Sequence, residues 1–252
     1  MATFSSVLSS ERLKLKRTLA FWLSMAIPLA MVLLQFATVA ARLDSWGLGN
    51  DGWGDYAQSQ YIFWALLALP LYVTLETALV AGIEHNAGGW RHLYATDVPR
   101  GAFYIAKQVL IAALVAVGTI VLTVGLVLTG RILHRMNPDL GLGSPIPWRD
   151  LARYTVAIIV AGSLMTAIAT WVALRWQSFV VACAVGIVLT VCGVVIINSD
   201  WGQYYPWAFA GMVVSHINQG DRVGIAPFVA NLGGAVLWTF LGSWNVSRRD
   251  VL

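Results

Sequence analysis

The chain has 252 residues, 58% of them hydrophobic and 11% charged, with a net charge of +4 and a mean hydropathy of +0.72. A soluble domain carries about 25% charged residues, so this chain lacks the polar surface to face water on all sides and is read as an all-α integral membrane protein. The basic excess is no sign of a nucleic-acid partner, because in a membrane protein the position of each charge outweighs the sum.

Residues 3–17 predict a short amphipathic helix. Phe4, Val7, Leu8 and Leu15 share one face, while Arg12, Lys14, Lys16 and Arg17 mostly point elsewhere. That is the pattern of a helix lying in the membrane interface with its basic groups at lipid phosphates. Glu11 falls inside the apolar stripe, where it either snorkels or pairs locally, or meets a basic residue of a partner. The basic residues come late and the apolar run after them is long, so 18–41 reads as a retained span rather than a cleaved signal.

About 20 apolar residues cross the hydrocarbon core. Six runs qualify, near 19–41, 60–83, 104–129, 152–174, 177–197 and 225–244, within one domain of residues 1–252. An even number puts both termini on one side. If that side is cytoplasmic, ten basic residues lie inside (Arg12, Lys14, Lys16, Arg17, Arg91, Arg100, Lys107, Arg175, Arg248, Arg249). Six lie outside (Arg42, Arg131, Arg135, Arg149, Arg153, Arg222). The positive-inside rule then favours cytoplasmic termini.

Between these runs, 42–58 reads as a short polar loop, and 131–150, with three Pro and two Gly, cannot be one continuous helix. The second run holds Glu76, an ionisable group within a span and therefore a functional candidate; the plainer expectation is that it reaches water or the hydroxyls of Thr74 or Thr77. Pro70 in the same run predicts a kink. Residues 84–107, EHNAGGWRHLYATDVPRGAFYIAK, interrupt the apolar sequence with a short amphipathic helix around Trp90–Tyr94, broken at Asp97–Pro99. Residues 201–219 contain YYPWAFAGMVV, apolar and aromatic but too short to span, which reads as a re-entrant element between the fifth and sixth spans.

Several chemistries are absent. There is no G-x-x-x-x-G-K-[ST], so no P-loop phosphate cradle; no H-E-x-x-H; and no G-x-S-x-G. The four His divide between the two sides of the predicted topology, and Cys183 and Cys192, nine apart in one apolar run, have neither a zinc nor a disulfide-framework spacing.

The opening SSERLKLKRTLAFWLSMAIPLA resembles the start of ABC-2 type permeases, and so does the 84–107 loop, with Glu84, a Trp90-x-x-Leu93 pair, then Pro99-Arg100 and Lys107. The YYPWAFAGMVV segment resembles that of the lantibiotic-immunity and multidrug-export permeases. The resemblance implies a transport subunit that is not itself an enzyme, in the plasma or inner membrane, paired with a second permease copy or relative. It implies two cytoplasmic ATPase subunits that carry the ATP and magnesium, so this chain binds no cofactor. By position it assigns ATPase coupling to Glu84, Gly88, Gly89, Trp90, Arg91, His92, Leu93, Tyr94 and Asp97, and an external gate to Tyr204, Tyr205, Pro206 and Trp207. Two other readings stand beside it. One is a membrane enzyme using Glu76, Glu84 and His85; the other is a membrane anchor or sensor without transport.

Overall fold

A computed structural model describes residues 4–16, 18–42, 52–86, 99–221 and 224–248. Among these residues every regular element is helical. Helix α1 (Phe4–Leu15) leads into α2 (Leu19–Ala40), whose first turn is capped by the Thr18 hydroxyl accepting from the Phe21 amide. Next comes one long helical run: α3 (Gly52–Phe63), a π-helical turn (Trp64–Ala68) and α4 (Leu69–Asn86). Helix α5 (Arg100–Met136) follows, then the pair α6 (Trp148–Ala161) and α7 (Ser163–Arg175), then α8 (Phe179–Ile196), α9 (Pro206–Gln219) and α10 (Ile225–Ser247).

Five runs among the described residues are long and apolar enough to cross a membrane: α2, α3 through α4, α5, α8 and α10. A sixth is present if α6 and α7, bent by 40° at Gly162, are one broken span. At 1.5 Å per residue the 37 residues of α5 reach about 55 Å, well beyond a hydrocarbon core of about 30 Å. Its ends therefore stand in polar surroundings.

The sequence-predicted boundaries change in three places. Residues 52–58, expected as loop, are helical. Trp53 and Tyr56 on that first turn are buried, with Trp53 Nε1 donating to the Ser144 carbonyl at 3.2 Å and Tyr56 Oη bonded to Thr129 Oγ1 at 2.9 Å. The tight start also needs Gly52, because a Cβ there would collide with the backbone of Leu140 and Gly141. Second, the fourth span is broken at Gly162. Asn231 of α10 serves the break: its Nδ2 donates to the Ala161 carbonyl at 3.1 Å and its Oδ1 accepts from Ser163 Oγ at 2.8 Å. Third, a π-helical turn, Trp64–Ala68, stands just before Pro70 inside the expected second span. A proline leaves the carbonyl four residues earlier without a donor. The π turn precedes it, with the Leu69 amide bonded to the Trp64 carbonyl, and the helix continues.

The core lies where α3–α4, α5, α6 and α9 meet. Trp64, Tyr72, Leu122, Leu126, Ile158 and Phe209 are buried there. Hydroxyls on facing helices find one another within it: Tyr61 Oη bonds Thr123 Oγ1 at 2.8 Å, and Thr123 Oγ1 bonds Thr155 Oγ1 at 2.8 Å. By contrast α8 and α10 show wide apolar faces, including Val180, Val195, Val236 and Phe240, the surfaces suited to lipid or to a further chain.

Candidate functional site

The end of the bundle at which α2 begins and α4 finishes brings together the buried Glu11, Glu84 and Lys107. Val7, Glu11 and Leu15 form one buried line on α1, spaced at four residues, and Val7 packs against Phe103 and Ala106 of α5. The expected apolar stripe thus rests partly on protein; Phe4, which shares the predicted face, is exposed, as are Arg12 and Lys16. Glu11 at the centre of the buried line is only 2% exposed.

Glu11 is held by two lysines. Lys14, one turn later, donates to Glu11 Oε1 at 2.6 Å, and Lys107 near the start of α5 donates to Glu11 Oε2 at 2.5 Å. Glu84 at the end of α4 completes the figure, its Oε1 accepting from Lys14 at 2.8 Å and from Lys107 at 3.1 Å. Two carboxylates and two ammoniums alternate in a closed ring, with Lys107 1% and Glu84 3% exposed. Charges so buried persist only when paired and hydrogen-bonded, and each member here faces two opposite charges. Partial burial pulls the Lys14 ammonium down, but its bonds to Glu11 and Glu84 and their charges outweigh that, holding it above the ordinary lysine range.

The ring sits at both roots of the segment between α4 and α5. Glu84 is two residues from the end of one helix and Lys107 two turns into the other. The segment itself, with Gly88, Gly89, Trp90, Arg91, His92, Leu93, Tyr94 and Asp97, lies outside the described residues, as does Arg17. Of the sequence-predicted site residues, the structure therefore joins Glu11, Lys14 and Glu84, which had been placed in two separate regions. Glu11 neither pairs only locally nor requires another chain, since its second cation is Lys107, 96 residues on. Lys107 was absent from the expected site. Its signals were its place at the end of the 84–107 resemblance and a lysine embedded in the apolar opening of a long run.

The remaining candidates stand apart from the ring. Glu76 is fully buried, and neither carboxyl oxygen has a hydrogen-bonding protein partner among the described residues. The expected hydroxyls are engaged elsewhere: Thr74 Oγ1 donates to the Pro70 carbonyl and Thr77 Oγ1 to the Thr74 carbonyl. At the opposite end of the bundle, Pro206 opens α9 from its first turn, where the missing amide costs nothing. Trp207 is buried against the backbone at Gly193 of α8, Tyr205 Oη donates to the Leu189 carbonyl at 2.9 Å, and Tyr204 is exposed. Helix α9 has 14 residues, about 21 Å, too short to cross. Its Phe209, Ala210, Val213 and Val214 enter the core.

His85 Nε2 lies 3.1 Å from the Ala173 carbonyl. No group of three or more His, Cys, Asp or Glu among the described residues could hold a metal ion, and Cys183 and Cys192 are free. Among the described residues the ion ring is a closed set of paired charges. What it does is fasten α1 to the two helices that carry the intervening segment.

No curated protein matches the chain. The family described as ABC-2 family transporter protein matches residues 7–193, from the buried line of α1 to the last turns of α8. A match over that much of the chain, on a bundle of five or six apolar helices, places this protein in the ABC-2 transporter family.

Proposed function

We propose that the chain is the membrane-spanning permease subunit of an ATP-driven exporter. Separate cytoplasmic ATPase subunits, two per assembly, bind and hydrolyse the nucleotide. The permease pairs with a second copy or a close relative, sits in the plasma or inner membrane with both termini in the cytoplasm, and carries no cofactor of its own. Its cargo is an amphipathic, lantibiotic-like peptide or a hydrophobic compound.

The observation that carries this reading is the ion ring at the roots of the 87–98 segment. A loop that merely joined two spans would need no such mounting. Here the two helices that feed it are tied to each other and to α1 by four paired charges, three of them buried. A push on the segment is thereby delivered to a stiff base. Within it Gly88 and Gly89 let the chain leave α4 sharply, and Pro99 fixes the return. Trp90, Leu93 and Tyr94 supply apolar anchors for a groove on the ATPase, with Arg91, His92 and Asp97 at the rim. The external gate is the start of α9, Tyr204 to Trp207, a re-entrant element that closes the pathway outside.

The test compares ATPase co-purification and substrate-stimulated hydrolysis for wild type and Trp90→Ala/Leu93→Ala at equal membrane abundance. Removing two anchors should weaken docking by about 2–4 kcal/mol while the bundle stays folded. An ATPase that binds and couples as before would reduce the segment to an anchor.

A further inference from the structure

A cavity of about 500 Å³ opens at the ion-ring end of the bundle, between the start of α2, the end of α4 and the α7–α8 junction. Its polar groups cluster at that end: Thr18, His85, Gln177 and Ser178. Beyond them the walls are apolar, with Leu19, Leu79, Ile83, Phe179 and Ala182 running into the spans. The polar-to-apolar change falls where α2 and α8 begin, with Thr18 and Ser178 as their N-caps, which is where a membrane passes from headgroups to hydrocarbon. Both α2 and α8 pack on α4 more than on each other, so α4 backs the cavity between them.

We propose that this cavity is a binding site for one phospholipid, its phosphate held at the polar end and an acyl chain laid along α4. The charge balance favours an anionic head. No carboxylate lines the cavity, whereas Arg175 stands just outside it, its guanidinium 5.7 Å from the Trp176 ring centre. The first turns of two helices present their positive ends there as well. Thr18 Oγ1 already donates to the Leu15 carbonyl at 2.8 Å and His85 Nε2 lies at the Ala173 carbonyl, so the donors turned to a phosphate are the Gln177 amide and the Ser178 hydroxyl, whose oxygen accepts from the Val181 amide. The mixed lining argues against a purely apolar guest, because Gln177 and Ser178 would lose water with no acceptor in exchange. The site stands on the shape and chemistry of this chain alone, so it holds whether or not the chain exports anything.

Native mass spectrometry of the full-length chain, released from detergent after incubation with phosphatidylglycerol or with diacylglycerol, tests this. Wild type should retain one phosphatidylglycerol per chain and little diacylglycerol. Gly82→Leu, which fills the cavity from α4, should lose it. Gln177→Glu, which sets a carboxylate against the phosphate at a surface-accessible position, should weaken retention on the order of tenfold. The control Val236→Trp, on the exposed face of α10, should retain lipid as wild type does. Equal retention of diacylglycerol would overturn the proposal, since the phosphate would then play no part. So would undiminished binding in Gln177→Glu, or a chain that carries no lipid and closes the cavity only on dimerising, which would give the site to a second copy.

Discussion

At the residue scale the chain spends its charges in two contrasting ways. In the ring, Glu11, Lys14, Glu84 and Lys107 satisfy one another. Removing one partner leaves an uncompensated buried charge, so Lys107→Met should destabilise the protein by about 3–5 kcal/mol. The loss in Glu11→Gln/Lys107→Met should be smaller than the sum of the single losses, because the two groups share one interaction. Thermal unfolding of the purified variants in detergent reads both; strict additivity would mean that the pair does not interact. Glu76 is the opposite case, a carboxyl sealed from water with no protein partner among the described residues. Glu76→Leu removes an unpaired polar group of similar volume and should raise stability by about 1–3 kcal/mol. A fall in unfolding temperature would show that the carboxyl is held by something it needs. Glu11 was legible as an anomaly, an acid in an apolar stripe. Its partner was not, because no local spacing links positions 96 residues apart.

At the element scale, the long apolar runs were readable because 20 residues of hydrocarbon-compatible sequence have few other uses. Their interruptions were less so. Gly162 sits in a run that stays apolar on both sides, and nothing local marks it as a break. The break is held by Asn231, a polar residue in α10 that is 5% exposed. Asn231→Leu should leave the Ala161 carbonyl and the Ser163 hydroxyl without their present partner and cost about 1–3 kcal/mol. Trypsin sensitivity at Arg149 and Arg153 of α6 should rise with it; unchanged protection and stability would mean that the bend is set by Gly162 alone. Residues 52–58 were misread for a related reason. Gly, Asp and Trp suggest a loop by composition, yet Trp53 and Tyr56 find buried places that only the folded chain provides. The π turn was also hidden, although Pro70 marked the neighbourhood in which the helix had to adjust.

At the scale of the whole molecule, the ring, the cavity and the starts of α2, α5 and α8 share one end, while the start of α3, the end of α5 and the 138–144 turn share the other. The ten basic residues counted for the first end against six for the second set the expected orientation. Reporter fusions at residue 252 and within 42–51 should therefore report opposite sides, the C-terminal one cytoplasmic. A cytoplasmic signal from the 42–51 fusion would reverse the topology and move the proposed ATPase face with it.

The ring also imposes an order on synthesis. Glu11 and Lys14 leave the ribosome with the first span, but Glu84 follows about 70 residues later, and Lys107 only once the third span has begun. Until then, on the proposed orientation, Lys14 and Lys16 would be open to anionic lipid and to the positive-inside bias on the first span. When Lys107 arrives, it removes Glu11 from water and fixes α1 against α5. On the cytoplasmic orientation proposed above, the same few residues would act first as a topological signal and afterwards as a lock, and the ring can close only when Glu11, Glu84 and Lys107 stand at one end of the bundle.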